Sequence, residues 1–411
     1  MIPNNPYGII KLGNAIFECI IFQVDENNNS HVLSSSSTKS QGIHNGVVIN
    51  LKDSSRAIRL CISAAEKSAR ISLKKINLVI EQPEFLCTNF SKYKKINGNK
   101  IHKDDIDFLL KDAKKQVALN DKQQSIIHIF NYNYIVDKKP FPEEPIGVYA
   151  DLLCHEVTFI TAPKNNIKNL EEAFIDCDIE IERFISCTFA LSVKLLTFNE
   201  LKSGAILIDI GSEKISIGLF KNLALIYSIT LPVGVHHIAK DISKVCSLTI
   251  EESKKILNDF DFSFNKNIKI FDNTLFLKDN YFETSIYRKI SKELITNIIK
   301  DRLDEMFQMI QKQFTFSGAN QTALSNILIT GGGANLFNLD EYFSNFFKSD
   351  IKKAGINTKN ANSQTNEKGF ESCLGALIII KDGWETEAIP RQSTSCNEKI
   401  SFFEKIFRNR G

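Results

Sequence analysis

The chain has 411 residues, of which 43% are hydrophobic and 24% are charged, and its formal net charge is +3. This composition is typical of a globular protein with a sizeable core, and the length predicts two or three domains of about 150 residues each. The small net charge argues against a nucleic-acid-binding protein, which normally carries a much stronger basic signature.

The cysteines and the apolar segments limit the protein class further. Nine cysteines are scattered singly without a C-x-x-C pair, which favours reduced thiols over a disulfide framework or a zinc site. The stretch "MIPNNPYGII" has no basic region followed by an apolar one, and no run approaches about 18 apolar residues. We therefore expect a cytoplasmic protein whose membrane contact, if any, is peripheral.

The first 80 residues predict the start of an α/β domain. "YGIIKLGNAIFECIIFQV" (7–24) predicts two strands joined by a Gly-Asn turn, and a further strand is expected around 32–36. "SSRAIRLCISAAEKSARI" has apolar residues at helical spacing and leads into the apolar strand "KINLVI" (75–80).

Residues 81–162 change character and predict a small inserted α+β unit. "KDDIDFLLKDAKKQVAL" predicts a helix with acidic residues near its start. The strand-like runs "SIIHIFNYNYIVD" and "HEVTFITA" follow, with the proline-rich connection "KKPFPEEP" between them. The charge run "SKYKKINGNKIHKDD" is interpreted as a solvated face of this unit.

The α/β pattern then resumes and repeats. A helix, a strand and a helix are expected to about residue 196, and "GAILIDIGSEKISIGLFKNLALIYSITLPVG" repeats the opening strand–turn–strand design. Two helical stretches, short strands around 268–277 and a long helix from about 284 to 314 follow. "NILITGGGANLFNLDEYFSNFF" predicts a strand, a glycine run and a helix, and "GFESCLGALIIIKDGW" the last packed element. The repetition indicates an internal duplication.

Two loops carry residues suited to phosphate binding. The strand ending in Asp209, Gly211 and Ser212 directs a carboxylate and bare backbone amides to one point, where a carboxylate can hold hydrated Mg²⁺ beside phosphates. Alone this pattern is not specific, because an Asp-Gly turn between strands is more often a plain hairpin.

The glycine run is the more specific of the two. Thr330 to Gly333 link a strand directly to a predicted helix start, which is an anion-receiving arrangement; the alternative is a tight strand-to-helix turn. The two loops lie about 120 residues apart and follow an earlier related turn at Gly13 and Asn14. This combination is much more specific than either loop alone.

With these loops the chain resembles the actin/heat-shock-chaperone/sugar-kinase ATPase superfamily and, within it, the FtsA family of bacterial cell-division proteins. The resemblance covers nearly the whole chain. Besides the C-terminal tail, it rests on the segments "SQGIHNGVVINLKDSSRAI", "PIGVYADLLCHEVTFIT", "LPVGVHHIAKDISKV" and "ILITGGGANLFNL".

The resemblance implies an α/β, actin-like duplicated (ribonuclease-H-like) fold with an inserted α+β 1C subdomain. The implied divisions are subdomain 1A (1–80 and 163–196), 1C (81–162), 2A (197–232 and 316–381), 2B (233–315), a flexible linker (382–398) and an amphipathic membrane-targeting helix (399–411).

The implied function is cell division at the septum, on the cytoplasmic face of the membrane. Such a protein polymerises with itself, binds the C-terminal peptide of FtsZ through 2B, tethers FtsZ filaments to an anionic membrane surface and recruits later division proteins partly through 1C; no nucleic acid is expected. The alternatives are a PilM-like pilus-assembly adaptor, which would lack the amphipathic tail, and an actin-fold ATPase or kinase, which would need a catalytic carboxylate.

The chain departs from the family pattern at three positions of the implied nucleotide site. The first phosphate loop, normally Asp-Ile-Gly-Ser/Thr, reads "KLGN" with Lys11 in place of the acid. The second loop continues with Ser212, Glu213 and Lys214, and Lys254 stands where a ribose-contacting Glu is usual.

We therefore expect weak or no hydrolysis, with no catalytic residue assigned and ATP at most a structural ligand, its Mg²⁺ held through water by Asp209. A lysine at position 11 could instead contribute its charge toward phosphate. The predicted nucleotide-binding residues are Gly13, Asn14, Asp209, Gly211, Ser212, Gly331, Gly332 and Gly333.

The pair His236-His237 has no nearby cysteine or third histidine at ligand spacing. It is therefore interpreted as a solvent-exposed helix start and not as a metal site.

The tail "ISFFEKIFRNRG" predicts an amphipathic helix. At 100° per residue its apolar side chains fall within an arc of about 160°: these are Ile400, Phe402, Phe403, Ile406 and Phe407. Basic charge with a phenylalanine-rich face suits an anionic membrane interface. The alternative is a helix docked on its own core or on a partner, and the polar segment before the tail argues against it.

Overall fold

The structure is a computed structural model that describes residues 6–26, 29–141, 143–259, 276–319, 325–336, 339–354 and 369–382. The predicted tail (399–411), nearly all of the predicted linker and most of the strands expected at 268–277 lie outside these residues. The chain forms two compact units, one of residues 1–202, 220–229 and 356–411, and the other of residues 203–219 and 230–355.

The elements up to residue 203 are, in chain order, β1 (Tyr7–Leu12), β2 (Ile16–Val24), β3 (Ser30–Lys39), β4 (Ile43–His44), β5 (Val47–Val48), α1 (Leu51–Ala69), β6 (Lys75–Ile80), β7 (Leu86–Lys100), α2 (Lys103–Asn120), β8 (Gln124–Val136), β9 (Lys139–Phe141), β10 (Tyr149–Pro163), α3 (Lys164–Ile175), β11 (Glu180–Ser186), α4 (Cys187–Leu195) and α5 (Phe198–Ser203). The remaining elements are β12 (Ala205–Ile210), β13 (Ile215–Lys221), β14 (Ala224–Leu231), α6 (Val235–Cys246), α7 (Ile250–Asp259), α8 (Lys292–Phe316), β15 (Ile327–Thr330), α9 (Leu339–Phe347), β16 (Ile351–Lys353) and α10 (Glu371–Asp382), with short 3-10 helices at Asp279–Tyr281 and Gly332–Asn335.

The first sheet has the order β11-β6-β1-β2-β3. Strand β1 is antiparallel to β2 and parallel to β6, which is the strand–turn–strand opening predicted from the sequence. Side chains of this sheet fill the core of the first unit: Ile9 and Ile10 of β1 and Phe17 of β2 are fully buried.

Helix α1 follows from local signals in the sequence. The Asn50 side chain accepts a hydrogen bond from Asp53 N and caps the first turn, and Arg70 ends the helix in the left-handed conformation. The apolar positions spaced three and four apart, including Ile58 and Ile62, are fully buried, and the helix packs on β2 and β3.

The insert is a four-stranded antiparallel sheet of order β7-β10-β8-β9 with α2 packed on it. The charge run that we interpreted only as a solvated face lies mostly in the 15-residue strand β7. Lys92 and Lys94 of this strand reach across to α2, where their Nζ atoms lie 2.7 Å from carboxylate oxygens of Asp112 and Asp105.

The last described helix, α10, belongs with the first unit, although we expected residues 316–381 to belong to subdomain 2A. It packs on α4 and on β1 and β2. A Cβ atom at Gly375 would lie 1.8 Å from the Ala190 carbonyl oxygen of α4, so the two helix backbones touch at this glycine.

The second sheet has the order β14-β13-β12-β15-β16, with β12, β15 and β16 parallel. Helix α8 begins at Lys292 and not near residue 284, because the Ser291 side chain caps it by accepting from Leu294 N. The glycine run itself enters a 3-10 helix (Gly332–Asn335) and not an α-helix, and α9 begins only at Leu339. No described helix has the length and apolarity needed to cross a bilayer.

Candidate functional site

The second predicted phosphate loop and the glycine run lie side by side in the second unit. They follow β12 and β15, which are adjacent parallel strands with Asp209 in register with Thr330. The carboxyl ends of parallel strands are where α/β sheets bind ligands. Six of the predicted residues, Asp209, Gly331 and their neighbours in these two loops, therefore meet at one edge of the sheet.

The glycines are required by close approach of the backbone to the Asp209 loop. Gly331 has φ +89°, and a Cβ atom there would lie 2.2 Å from Asp209 Oδ1. A Cβ at Gly333 would lie 2.4 Å from Ile210 Cγ2, whereas nothing lies within 4 Å of one at Gly332. The backbone thus presents an open position at Gly332 beside a carboxylate, and these two loops fit a phosphate group held by backbone amides.

The start of α6 is bonded directly to the second loop. Gly211 N donates to Lys214 O at 2.9 Å and closes the turn, while Val235 N and His236 N donate to Gly211 O and Ser212 O. A Cβ at Gly234 would lie 2.4 Å from Ser212 O. We did not identify Gly234 from the sequence, although the "PVG" before the helix was a visible signal for a close turn.

His236 is half-buried, so the solvent-exposed helix start that we predicted is wrong in its exposure. Its Nε2 lies 3.5 Å from Glu213 Oε1, and Glu213 lies 3.7 Å from Lys240 Nζ. Burial lowers the pKa of His236, and the neighbouring Glu213 opposes this shift. Within the described ranges no three His, Cys, Asp or Glu side chains form a metal-binding group.

In the first unit, Gly13 and Asn14 form a closed turn between β1 and β2. Gly13 N donates to Ile16 O, and a Cβ at Gly13 would lie 2.7 Å from that oxygen. Asn14 Nδ2 donates to Asn45 Oδ1, and Asn45 N donates to Asn14 Oδ1, both at 2.7 Å. The Asn14 side chain is therefore held by the β4–β5 hairpin, a contact that the sequence did not indicate.

Lys11 is held by a buried carboxylate. Its Nζ lies 3.0 Å from Glu18 Oε2, directly across from it on β2, and Glu18 is 3% exposed. Burial raises the pKa of Glu18, while the Lys11 ammonium lowers it in part. The charge at position 11 is therefore compensated within the sheet.

The acid side chains of the two predicted phosphate loops offer little to a Mg²⁺ ion. The first loop has Lys11 where the family places an acid, and the carboxylate nearest to it, Glu18, is already paired. In the second loop Glu213 faces His236 and Lys240, and Asp209, at the end of β12, is the carboxylate that we predicted for a hydrated cation. The residues therefore fit a nucleotide phosphate better than a tightly held Mg²⁺.

In helix α7 the buried Glu252 is hydrogen-bonded within the second unit. Lys254 is exposed, whereas Glu252 is buried and accepts hydrogen bonds from Thr284 N, Ser285 N and Ser285 Oγ. Although burial raises the pKa of Glu252, these bonds hold it below its usual range.

The five predicted membrane-binding residues, Ile400 to Phe407, lie outside the described residues.

The chain is similar to one family of cell division proteins. The family model "Cell division protein FtsA" matches residues 206–375, and the model "SHS2 domain inserted in FTSA" matches residues 84–161. The chain is 24% identical over 410 residues to the "Cell division protein FtsA" of Buchnera aphidicola subsp. Schizaphis graminum, covering 97% of this chain and 95% of that protein. It is 22% identical over 351 residues to the protein of the same description from Agrobacterium fabrum, covering 81% and 77%.

Solved structures share the fold at low identity. The chain matches a structure described as a PilM-PilN type IV pilus biogenesis complex with a TM-score of 0.59 and 12% identity, covering 85% of this chain and 88% of that one. It matches MreB5 of Spiroplasma citri bound to ADP with a TM-score of 0.56 and 12% identity, covering 93% and 98%. These likenesses concern the fold alone, and they confirm the predicted actin-like architecture with its insert.

Proposed function

Because the chain belongs to the FtsA family of cell division proteins, we propose that it is an actin-like adaptor that tethers FtsZ filaments to the cytoplasmic membrane at the division site. One observation carries this proposal: two models of the same family match the chain, one of them in the inserted sheet and helix at 84–161, and a relative covers 97% of its length. The PilM likeness supports only the fold, at 12% identity.

The adaptor acts through self-assembly, a membrane anchor and two partner surfaces. Polymerisation matters because a short amphipathic helix binds lipid weakly by itself, whereas many tails on one filament bind by avidity. The insert, as subdomain 1C, contributes to recruiting later division proteins. The C-terminal peptide of FtsZ binds the region 233–315, as subdomain 2B.

A surface pocket in the second unit supports a peptide site in this region. It has a volume of about 450 Å³ and is lined by apolar Val245, Phe276 and Leu294 and by basic Arg288 and Lys289. Arg288 also donates to the carbonyl oxygens at the end of α6, Cys246 O and Ser247 O, and so joins the pocket wall to that helix. Apolar side chains with a few placed charges are suited to a short peptide.

The nucleotide is a structural ligand in this proposal. The glycines at 331–333, Gly211 and Ser212 supply backbone groups for phosphate, and Asp209 holds water of a Mg²⁺ ion. MreB5, which shares the fold, is described with ADP and with AMPPNP bound. Weak or absent hydrolysis is expected because Lys11 replaces the acid of the first loop.

The membrane anchor is tested in the full chain by placing charge on the apolar face of the tail. Phe403→Glu with Phe407→Glu should release most of the protein from vesicles containing anionic lipid, and most of the FtsZ should stay in the supernatant. Ser401→Glu with Asn409→Glu adds the same charge on the polar residues of the tail and should retain most of the binding. Equal binding of wild type and the phenylalanine variant would reject the tail as the anchor.

Removing the C-terminal peptide from FtsZ tests the other end of the tether. With wild-type adaptor on the vesicles, truncated FtsZ should stay in the supernatant. Truncated FtsZ that still sediments would reject peptide binding as the link between the two proteins.

A further inference from the structure

Helix α1 carries a row of cations along its outer face, which we name the basic stripe: Lys52, Arg56, Arg59, Lys67 and Arg70. Their spacings of three, four and eight residues place them within an arc of about 80° at 100° per residue. The opposite side of the helix, including Ile58 and Cys61, is fully buried against β2 and β3. The stripe therefore points away from the core of the first unit.

The stripe is almost unpaired within the described part of the chain. Lys52, Arg56, Lys67 and Arg70 are exposed and form no ion pair with any residue that the structure describes. Arg59 is the exception, with its Nη1 donating to Cys177 O and lying 3.9 Å from Glu66 Oε2.

The two acids of the helix are used locally. Asp53 Oδ2 accepts from Asn50 Nδ2 at the start of α1, and Glu66 Oε1 accepts from Leu73 N beyond its end. Both carboxylates therefore bond near the ends of the helix, and Glu66 also lies near Arg59 of the stripe.

This arrangement is unfavourable for an isolated helix, because like charges three and four residues apart repel by about 0.2–0.5 kcal/mol per pair. From Lys52 to Arg70 the stripe extends for about 27 Å at 1.5 Å per residue. Large apolar side chains accompany it: Ile49 is 70% exposed and Leu60 is 58% exposed. A long row of cations with exposed apolar neighbours fits a flat anionic surface with an apolar interior.

We infer that the basic stripe of α1 is a second membrane contact, which binds anionic lipid headgroups and turns this side of the first unit toward the bilayer. This inference rests on the proposed membrane-tethering function. Helix α10, from which the chain continues to the tail, belongs to the same unit. Sixteen residues (383–398) separate α10 from the tail and extend at most about 55 Å, enough for both contacts to reach one surface.

The occupant is lipid and not nucleic acid on two grounds. The whole chain has a net charge of only +3, whereas nucleic-acid-binding proteins carry a broad basic surface. The neighbouring Ile49, Leu51 and Leu60 offer apolar side chains that a phosphate backbone does not use, but that the boundary between headgroups and acyl chains accepts.

The test uses the full chain with Lys52→Gln, Arg56→Gln and Lys67→Gln together. Arg59 is left unchanged because it bonds to Cys177 O. Each surface cation contributes about fivefold to binding an anionic bilayer, so the triple variant should bind vesicles of about 30 mol% phosphatidylglycerol in phosphatidylcholine at least tenfold more weakly. Its thermal midpoint should not fall, since the substitutions remove repulsion within the helix.

A matched control removes three exposed lysines from α2 of the insert, by Lys103→Gln, Lys111→Gln and Lys115→Gln. This variant should bind the same vesicles within twofold of wild type. An equal loss in both triple variants, or unchanged binding of the α1 variant, would overturn the inference. So would loss of binding to a DNA duplex by the α1 variant with its vesicle binding unchanged.

The tail variant separates this inference from the proposed anchor. Phe403→Glu with Phe407→Glu should leave weak, salt-sensitive vesicle binding that disappears when the three α1 substitutions are added. If the tail variant binds like wild type, the anchor proposal fails. If its residual binding is unaffected by the α1 substitutions, the stripe inference fails.

Discussion

Lys11 and Glu18 form a cross-strand ion pair at the position where the family's first phosphate loop carries an acid. The sequence shows the lysine as a departure from the motif, but it does not show the partner, because nothing in the pattern of β2 marks Glu18 as buried and charged. A carboxylate placed at position 11 would face Glu18 in the same register. Restoring the family acid here therefore requires a second change at position 18.

Lys11→Met should destabilise the first unit by about 3 kcal/mol or more, because it leaves a buried carboxylate without its cation. The loss should be smaller at pH 5 than at pH 8. Burial raises the pKa of Glu18 in the folded protein. The protonated Glu18 carboxyl therefore contributes to stability at low pH, and this contribution is lost as the pH rises through the folded pKa. Urea denaturation midpoints at the two pH values measure this.

Two further variants control this prediction. Lys11→Met with Glu18→Met should recover most of the stability, since an apolar pair of similar size avoids the buried charge. Lys75→Met breaks the exposed pair with Glu180, whose members are 58% and 68% exposed, and should cost less than about 1 kcal/mol. A Lys11→Met deficit of equal size at both pH values would contradict the pKa argument.

Among the elements, α10 shows most directly how a single glycine determines packing. At Gly375 the backbone of α10 meets the Ala190 carbonyl of α4, and no side chain fits between the two helices. The helix also contributes fully buried side chains, such as Cys373 and Ile379, to the core of the first unit. The helix lies in that unit because it packs on α4, β1 and β2, which are distant in sequence. A local sequence pattern does not predict such contacts.

Gly375→Ala should lower the stability of the protein by about 1–3 kcal/mol through overpacking. A decrease in stability would be informative, because replacing a glycine inside a helix by alanine normally stabilises a protein by about 0.5–1 kcal/mol. Thermal unfolding followed by circular dichroism measures the change. Gly332→Ala, where the added Cβ meets nothing within 4 Å, should leave the midpoint within about a degree; a stabilised Gly375→Ala would disprove the close contact.

Elements with strong apolar periodicity were predicted well, and charged ones were not. "KINLVI" coincides with β6 (Lys75–Ile80), and the helix at 103–119 is α2 with one further residue. Strand β7 was missed because lysines occupy its buried-side positions, where they pair with acids of α2 instead of forming an apolar stripe. Helix α8 begins later than predicted because the Ser291 side chain caps it by accepting from Leu294 N.

For the molecule as a whole, the motifs were enough to predict the family and the actin-like fold. The sequence also indicated which loops carry the candidate site, and the structure brings Asp209, Gly211 and the glycine run together at one sheet edge. The contacts that restrict the loops, such as Asn14 with Asn45, could not be predicted because they join segments without a shared local pattern.

The whole chain should bind ATP without releasing phosphate at a measurable rate. Assemblies formed with ATP should therefore persist as long as those formed with AMPPNP, because no turnover limits their lifetime. Nucleotide titration followed by phosphate detection and light scattering measures both properties. Steady phosphate release above that of buffer would contradict the expectation from Lys11.

A pair of glycine variants tests whether ATP binds at the glycine run. Gly331→Ala should abolish ATP binding, because φ +89° and a contact of 2.2 Å to Asp209 Oδ1 leave no room for a methyl group. Gly332→Ala should retain folding, since its added atom points into open space. Unchanged ATP affinity of Gly331→Ala would exclude the loop as the phosphate site.

The return of α10 to the first unit also has a consequence during synthesis. The ribosome makes β1, β2 and α4 before the helix that covers them, which leaves the exit tunnel only after every other described element has been made. Until then the apolar surface awaiting α10 is open to chaperones and to other nascent chains. A message truncated before codon 371 would therefore yield a chain that quality-control proteases recognise, even though every other described element has been made.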